Sequence, residues 1–218
     1  MRNAFFDLDG TLTDPAVGIV RCMQHALGAM QCRIPWPDDA LKRFIGPPLQ
    51  ESFKTLLGTD DPEQTQRAVE LYRERFGEVG LYENELFPAI PGVLAQLRES
   101  GHRLWVVTSK AHVYADRIVD HFGLRPFFER VYGAELSGER ANKADLIAYV
   151  LEREGIAARQ ACMIGDRKHD IEGARANELA SIGVLWGYGS RAELERAGAT
   201  TIVESPGAIP EAVRSIGG

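Results

Sequence analysis

Hydrophobic and polar positions along the chain follow two different rhythms. From Pro15 to about Gly80, apolar residues recur every three or four positions. Val17, Val20, Met23, Leu27 and Met30 mark one face of a first helix, and Pro15 suits its first turn. The stretches PDDALKRF, PLQESFKTLLG and PEQTQRAVELYRERFG each open on proline and keep the helical spacing. The second and third of these are expected to stop at Gly58 and Gly77.

From about Leu86 short apolar runs alternate with amphipathic stretches. RLWVVTS, RVYGAE, QACMIGD, ASIGVLW and TTIV read as strands. PGVLAQLRESG, HVYADRIVDHFG, NKADLIAYVLEREG and HDIEGARANEL read as the helices between them, with short helices after the last two strands. Strands of five or six residues separated by helices predict a parallel sheet covered on both faces. The first run, NAFFDLD, must join that sheet, because nothing near it offers a partner. The fold class is therefore α/β: a parallel-sheet core flanked by helices, formed by residues 1–13 and 85–218. A small all-helical cap, residues 14–84, is inserted after the first strand.

Composition narrows the classes of function. Hydrophobic residues make up 44% and charged residues 26%, as in ordinary globular chains. A net charge of -6 argues against a nucleic-acid surface, which needs concentrated Lys and Arg. The three cysteines, Cys22, Cys32 and Cys162, form no CxxC pair, so a disulfide framework is not expected. Cys22 and Cys162 lie in apolar patterns and are expected to be buried thiols. The opening MRNAFF carries no apolar run suited to a signal peptide, and no window nears the roughly 20 apolar residues of a membrane span. These features lead to the expectation of a cytoplasmic protein, monomer or homodimer, with no membrane partner.

Candidate chemistry collects at the carboxyl ends of the strands, where open parallel sheets bind ligands. The first strand delivers Asp7-Leu8-Asp9-Gly10-Thr11, and a second delivers Thr108-Ser109-Lys110. A third ends in Gly165-Asp166 with Asp170 four residues on, and Lys143 opens a helix between the last two. Strand periodicity puts the Asp7 and Asp9 carboxylates on one side. With Asp166 they make an acidic crevice without histidine or cysteine at ligand spacing, and all-oxygen ligation suits Mg²⁺. A carboxylate can attack phosphorus once metal and cations offset the charge of the phosphate. Lys143 is placed to offset charge, and the Thr108 hydroxyl to bind phosphoryl oxygens. A second carboxylate can donate a proton to the leaving oxygen and later take one from water. Ser109 and Lys110 follow Thr108 and are candidates to reach substrate. Asp170 is expected at the metal site, Asp14 as N-cap of the first cap helix, His169 on the surface, and Trp105 and Trp186 in the core.

In this order, DLDGTLTD, VVTSK, the lysine of NKADLI and GDRKHDIEGA resemble the four motifs of the haloacid dehalogenase superfamily. The likeness spans nearly the whole chain and is greatest toward the phosphoglycolate phosphatase group and its 5'-nucleotidase relatives. It implies a Rossmann-like core with a helical cap and a Mg²⁺-dependent phosphohydrolase acting on a small phosphorylated metabolite. By motif, Asp7 is then nucleophile and metal ligand, and Asp9 the acid/base that also offers its carbonyl to the metal. Thr108 holds phosphate, Lys143 stabilises the charged centre, Asp166 coordinates Mg²⁺ and Asp170 supports the site. Pro15 stands where many relatives have serine, which touches only the entry to the cap helix.

Within that resemblance several outcomes stay open. Asp9 argues against dehalogenation, which needs no leaving-group proton. Phosphoglycolate phosphatase, 5'-nucleotidase or pyrophosphatase activity, and a phosphosugar mutase, all keep the same motifs. A phospho-accepting signalling module is a different class, and it has no use for Asp9 or a helical cap. Selectivity is expected in the cap segment LKRFIGPPLQESF, where Lys42 or Arg43 can meet a substrate carboxylate and Trp36 or Phe44 a nucleobase.

Overall fold

The run NAFF forms β1 (Asn3–Phe6), and all four residues are buried. In the computed structural model, which describes residues 2–32 and 34–217, that burial follows from a central place in a six-stranded sheet. Its other strands are β2 (Arg103–Ala111), β3 (Arg130–Ala134), β4 (Ala161–Gly165), β5 (Ala180–Val184) and β6 (Thr201–Val203). The order is β3-β2-β1-β4-β5-β6, with every neighbouring pair parallel. Phe5 stands opposite Trp105 on one side and Met163 on the other.

Two compact units divide the chain. One runs to Asp14 and resumes at Leu86, and the other spans Pro15–Glu85. The smaller unit is helical: α1 (Ala16–Ala29), α2 (Asp38–Leu41), α3 (Leu49–Leu57) and α4 (Pro62–Glu78). The larger carries α5 (Ile90–Glu99), α6 (His112–His121), α7 (Lys143–Glu154), α8 (Lys168–Ala176), α9 (Arg191–Ala197) and α10 (Ile209–Ser215).

In the larger unit, Phe5, Trp105, Val107 and Met163 pack with Leu146, Ile147 and Val150 of α7 and Ala174 of α8. The alternate positions Phe6, Val106 and Ile164 are equally buried, and strand periodicity turns them to the opposite face. There α5 packs on β2 and α10 on β5, and the two helices touch each other. This accounts for near-continuous apolar strands. Trp105 lies in the core as expected, and Cys22 and Cys162 are buried. No helix among the described residues is long and apolar enough to cross a membrane.

In the smaller unit, α4 packs against both α1 and α3. Tyr72 meets Phe53 edge-on and stacks on Phe76 with ring centres 5.4 Å apart. Asp61 caps α4 by accepting the Glu63 N–H at 2.9 Å. Gly58 ends α3 in the left-handed conformation, as expected. Gly77 does not end α4, which continues to Glu78. Phe76 is held in the stack with Tyr72, so packing carries the helix past a residue of poor propensity.

One departure from regular pairing matters for the site. The β2 strand reaches beyond Ser109 to Ala111 through a register shift between Thr108 and Ala111. Gly133 on β3 faces that bulge: a Cβ there would stand 2.6 Å from the Lys110 carbonyl oxygen and 2.7 Å from His112 Cα. Overpacking against backbone costs about 1–3 kcal/mol. Gly133→Ala should lower folding stability by that amount in urea denaturation, and an unchanged midpoint would show that the bulge yields freely.

Candidate active site

The β1 ladder ends in a tight turn. The Asp7 N–H donates to the Ile164 carbonyl at 2.9 Å, the last such bond from β1 to β4. The Leu8 carbonyl then accepts from Leu12 and Thr13 at 2.9 and 3.1 Å, and Gly10 turns back with φ +80°. Asp7 and Asp9 thus leave the strand into the same end of the sheet, both largely buried.

Three further elements converge on Asp7. Asn142 caps α7 by accepting the Ala144 N–H at 2.8 Å, which sets Lys143 at the first helical position. The Lys143 ammonium donates to Asp7 Oδ1 at 2.9 Å and to the Val107 carbonyl at 2.9 Å. It also pairs with Asp170 Oδ1 at 2.8 Å. Asp170 sits in the first turn of α8, where its Oδ2 accepts the Arg167 N–H at 3.1 Å. Asp166 follows β4 directly, is fully buried, and accepts the Tyr188 N–H on Oδ2 at 2.7 Å. Asp7, Asp166 and Asp170 each bring a carboxylate oxygen within 4.8 Å of the others.

The Asp9 carboxylate is not in that cluster. The bulge after Thr108 re-aims Lys110, whose ammonium pairs with Asp9 Oδ2 at 2.6 Å. Lys110, a candidate for substrate contact, therefore rests on a carboxylate of the same site. Thr108 is buried at the turn into the bulge, its hydroxyl accepting the Lys110 N–H at 3.2 Å, and Ser109 lies half-buried within it. Lys42 and Arg43 are exposed on a single helical turn of the smaller unit, where Lys42 pairs with Asp39 at 2.9 Å.

Electrostatics follow from the burial. Desolvation pushes Asp166 well above the ordinary carboxylate range, and the neighbouring Asp170 and Asp7 add to it. Burial likewise pushes Asp170 up to about 6, opposed by Lys143 and assisted by Asp7. Burial raises Asp9 as well, with Lys110 pulling the other way. Burial alone would lower Lys143, but Asp170 and Asp7 outweigh it and hold the ammonium charged. Lys143 is thus one cation among three carboxylates, and Asp166 Oδ1 is buried without a hydrogen-bond partner. An all-oxygen, anionic donor set with one orphaned oxygen fits a hard divalent cation.

Two expectations are corrected here. Asp14 does not cap α1: Pro15 holds that position without a side-chain bond, and Asp14 instead accepts from the Tyr188 hydroxyl. Trp186 is outside the core, half-buried in the loop after β5, with its indole N–H donating to the Thr11 carbonyl at 3.1 Å. His169 lies at the start of α8, half-buried, and desolvation together with Arg167 and Lys168 lowers its pKa. Tyr188 and Asn142 were not expected at the site. The glycine-rich WGYG at the end of a strand neighbouring β4 was the signal for Tyr188.

Residues 4–184 match the family described as haloacid dehalogenase-like hydrolase. A Pseudomonas aeruginosa 5'-nucleotidase is 49% identical over 193 residues, 88% of this chain and 86% of that protein. The Mycobacterium tuberculosis tyrosine-protein kinase PtkA is 39% identical over 213 residues, 97% of this chain and 71% of that protein. An Aquifex aeolicus phosphoglycolate phosphatase is 30% identical over 189 residues, 86% of each chain. The crystal structure of a predicted phosphatase from Clostridium acetobutylicum superposes with a TM-score of 0.93 at 37% identity, over 98% of both chains. The fold and these likenesses define a hydrolase, and its candidate site is lined by carboxylates. The chain belongs to the haloacid dehalogenase-like hydrolase family.

Asp170 supplies a test that needs no substrate. A carboxyl whose folded pKa, about 6, lies above its unfolded value binds its proton more tightly when folded. Its contribution therefore favours the folded state at low pH and is lost as pH rises through about 6. In chelator, the wild type should lose on the order of 2–3 kcal/mol relative to Asp170→Asn between pH 4 and pH 7. Urea denaturation at both pH values reads this difference, and parallel pH profiles would rule it out.

Proposed function

We propose that this hydrolase cleaves small phosphomonoesters with the help of Mg²⁺, through a phosphate carried transiently on Asp7. One observation carries the reading: Asp7 meets Lys143 and shares a carboxylate-oxygen cluster with Asp166 and Asp170, while Asp9 stands two residues on with its own cation. Mg²⁺ would be held by Asp7, Asp166, Asp170 and the Asp9 carbonyl, and when bound it offsets the charge of carboxylates and phosphate.

An Asp7 carboxylate oxygen attacks phosphorus, and the bond from phosphorus to the ester oxygen breaks. Asp9, whose protonated form burial favours, gives its proton to that oxygen, so the alcohol leaves neutral. Asp9 then takes a proton from water as that water attacks phosphorus. Inorganic phosphate departs and the Asp7 carboxylate is restored. Lys143 holds Asp7 in line and balances its charge throughout, and the Thr108 hydroxyl is assigned to a phosphoryl oxygen.

Among substrates, nucleoside 5'-monophosphates are favoured by the 49% identity to a 5'-nucleotidase, and phosphoglycolate stands second. Selectivity is assigned to residues 15–85, with Lys42 and Arg43 as the cations concerned. The 39% identity to PtkA supports a second reading, in which phosphate passes from Asp7 to an acceptor other than water.

Phosphate release across nucleoside monophosphates, phosphoglycolate, pyrophosphate and sugar phosphates separates these readings. Asp7→Asn should reduce turnover by on the order of 10³-fold or more while the protein stays folded, and chelator should stop the wild type. Turnover that survives either treatment would overturn the mechanism. Stable phosphate on the wild-type protein, without release, would favour the second reading. Arg43→Ala and Lys42→Ala should raise KM several-fold, by about 1 kcal/mol of substrate binding, with kcat held. Unchanged KM in both would remove these residues from substrate selection.

A further inference from the structure

Between β5 and α9 the chain runs Leu185-Trp186-Gly187-Tyr188-Gly189-Ser190, and its backbone lies directly against Asp166. A Cβ on Gly187 would stand 2.4 Å from the Asp166 side chain and 2.4 Å from the Gly10 carbonyl oxygen. One on Gly189 would stand 1.8 Å from the Asp166 carbonyl oxygen, and one on Gly10 would stand 2.3 Å from Asp166 Oδ2. Three glycines from two loops therefore close around one aspartate, and no side chain fits at any of them.

The closeness has a direct product. The Tyr188 N–H reaches Asp166 Oδ2 at 2.7 Å, a short bond inside a fully buried site. Oδ1 of the same carboxylate is buried and without a hydrogen-bond partner. Two side chains tie the loop to the turn after β1. The Trp186 indole N–H donates to the Thr11 carbonyl, and the Tyr188 hydroxyl donates to Asp14. A loop that merely connected β5 to α9 would need neither the glycines nor both ties.

We propose that residues 185–189 are a positioning strap for Asp166. The strap's amide takes up Oδ2 and fixes the carboxyl plane, so that Oδ1 is the one oxygen presented to the cation. Tyr188 acts here through its backbone, and Gly187 and Gly189 act by letting that backbone approach. The inference rests on the reading of Asp166 as a Mg²⁺ ligand.

The test is calorimetric titration of Mg²⁺ into chelator-stripped wild type and Gly187→Ala, with circular dichroism and thermal denaturation on both. The variant should keep its fold and bind Mg²⁺ about 10- to 100-fold more weakly, the usual loss when an outer partner of a metal ligand is disturbed. Wild-type affinity in a folded Gly187→Ala overturns the strap and leaves the metal reading standing. Absence of Mg²⁺ binding by the wild type overturns both. Should Gly187→Ala not fold, the Tyr188 amide resonance decides the matter. In the strap it is shifted downfield, moves on Mg²⁺ addition, and moves back upfield in Asp166→Asn. A Tyr188 amide indifferent to Asp166→Asn overturns the proposal.

Discussion

Three carboxylates buried around one ammonium at the ends of β1 and β4 constrain everything near them. Removing charge from water is costly, and one pair rarely repays it, so Asp7, Asp166 and Asp170 each need fixed partners. Lys143 answers Asp7 and Asp170, the Arg167 amide answers Asp170 a second time, and the Tyr188 amide answers half of Asp166. The supporting structure follows from these needs. A cap at Asn142 sets the lysine, the start of α8 sets Asp170, and Gly165 leaves room for it, since a Cβ there would meet Asp170 Cγ at 2.2 Å. What remains uncompensated is an orphaned oxygen on Asp166. Stability alone would favour apolar residues in such a place, which is why the cluster is the candidate site.

Much of this was legible along the chain because strand ends are easy to read. Asp7, Asp9, Thr108, Lys143, Asp166 and Asp170 interrupt apolar runs or open helices, and the open-sheet rule gathers such residues at one edge. The partners were harder to see. Lys110 meets Asp9 just past the bulge after Thr108, and a glycine on the next strand leaves room for that bulge. Asp14 looked like a helix cap because local sequence favours that role, yet its bond is to Tyr188, far along the chain. Trp186 read as strand because apolar periodicity cannot tell the end of a strand from a loop that packs on its neighbour. Gly77 read as a stop because propensity ignores the stacking of Phe76 on Tyr72. In all but the last of these a contact distant in sequence outweighed a local preference, and at Gly77 packing within the helix did so.

The position of β1 carries a consequence for how the protein comes into being. Its two neighbours are strands whose partners for Phe5 are Trp105 and Met163, both far later in the chain, so β1 is made well before it can be enclosed. During synthesis the helical unit, Pro15–Glu85, has all its internal contacts available early. NAFFDLD must wait, exposed, until β4 has emerged, and closing so long a loop slows folding. Phe5 and Phe6 would in that interval present an unpaired apolar strand edge, the kind of surface chaperones guard and aggregates exploit. Because Asp7 follows β1 and Asp166 follows β4, no partly made chain holds the carboxylate cluster, which assembles only when β4 has joined the sheet.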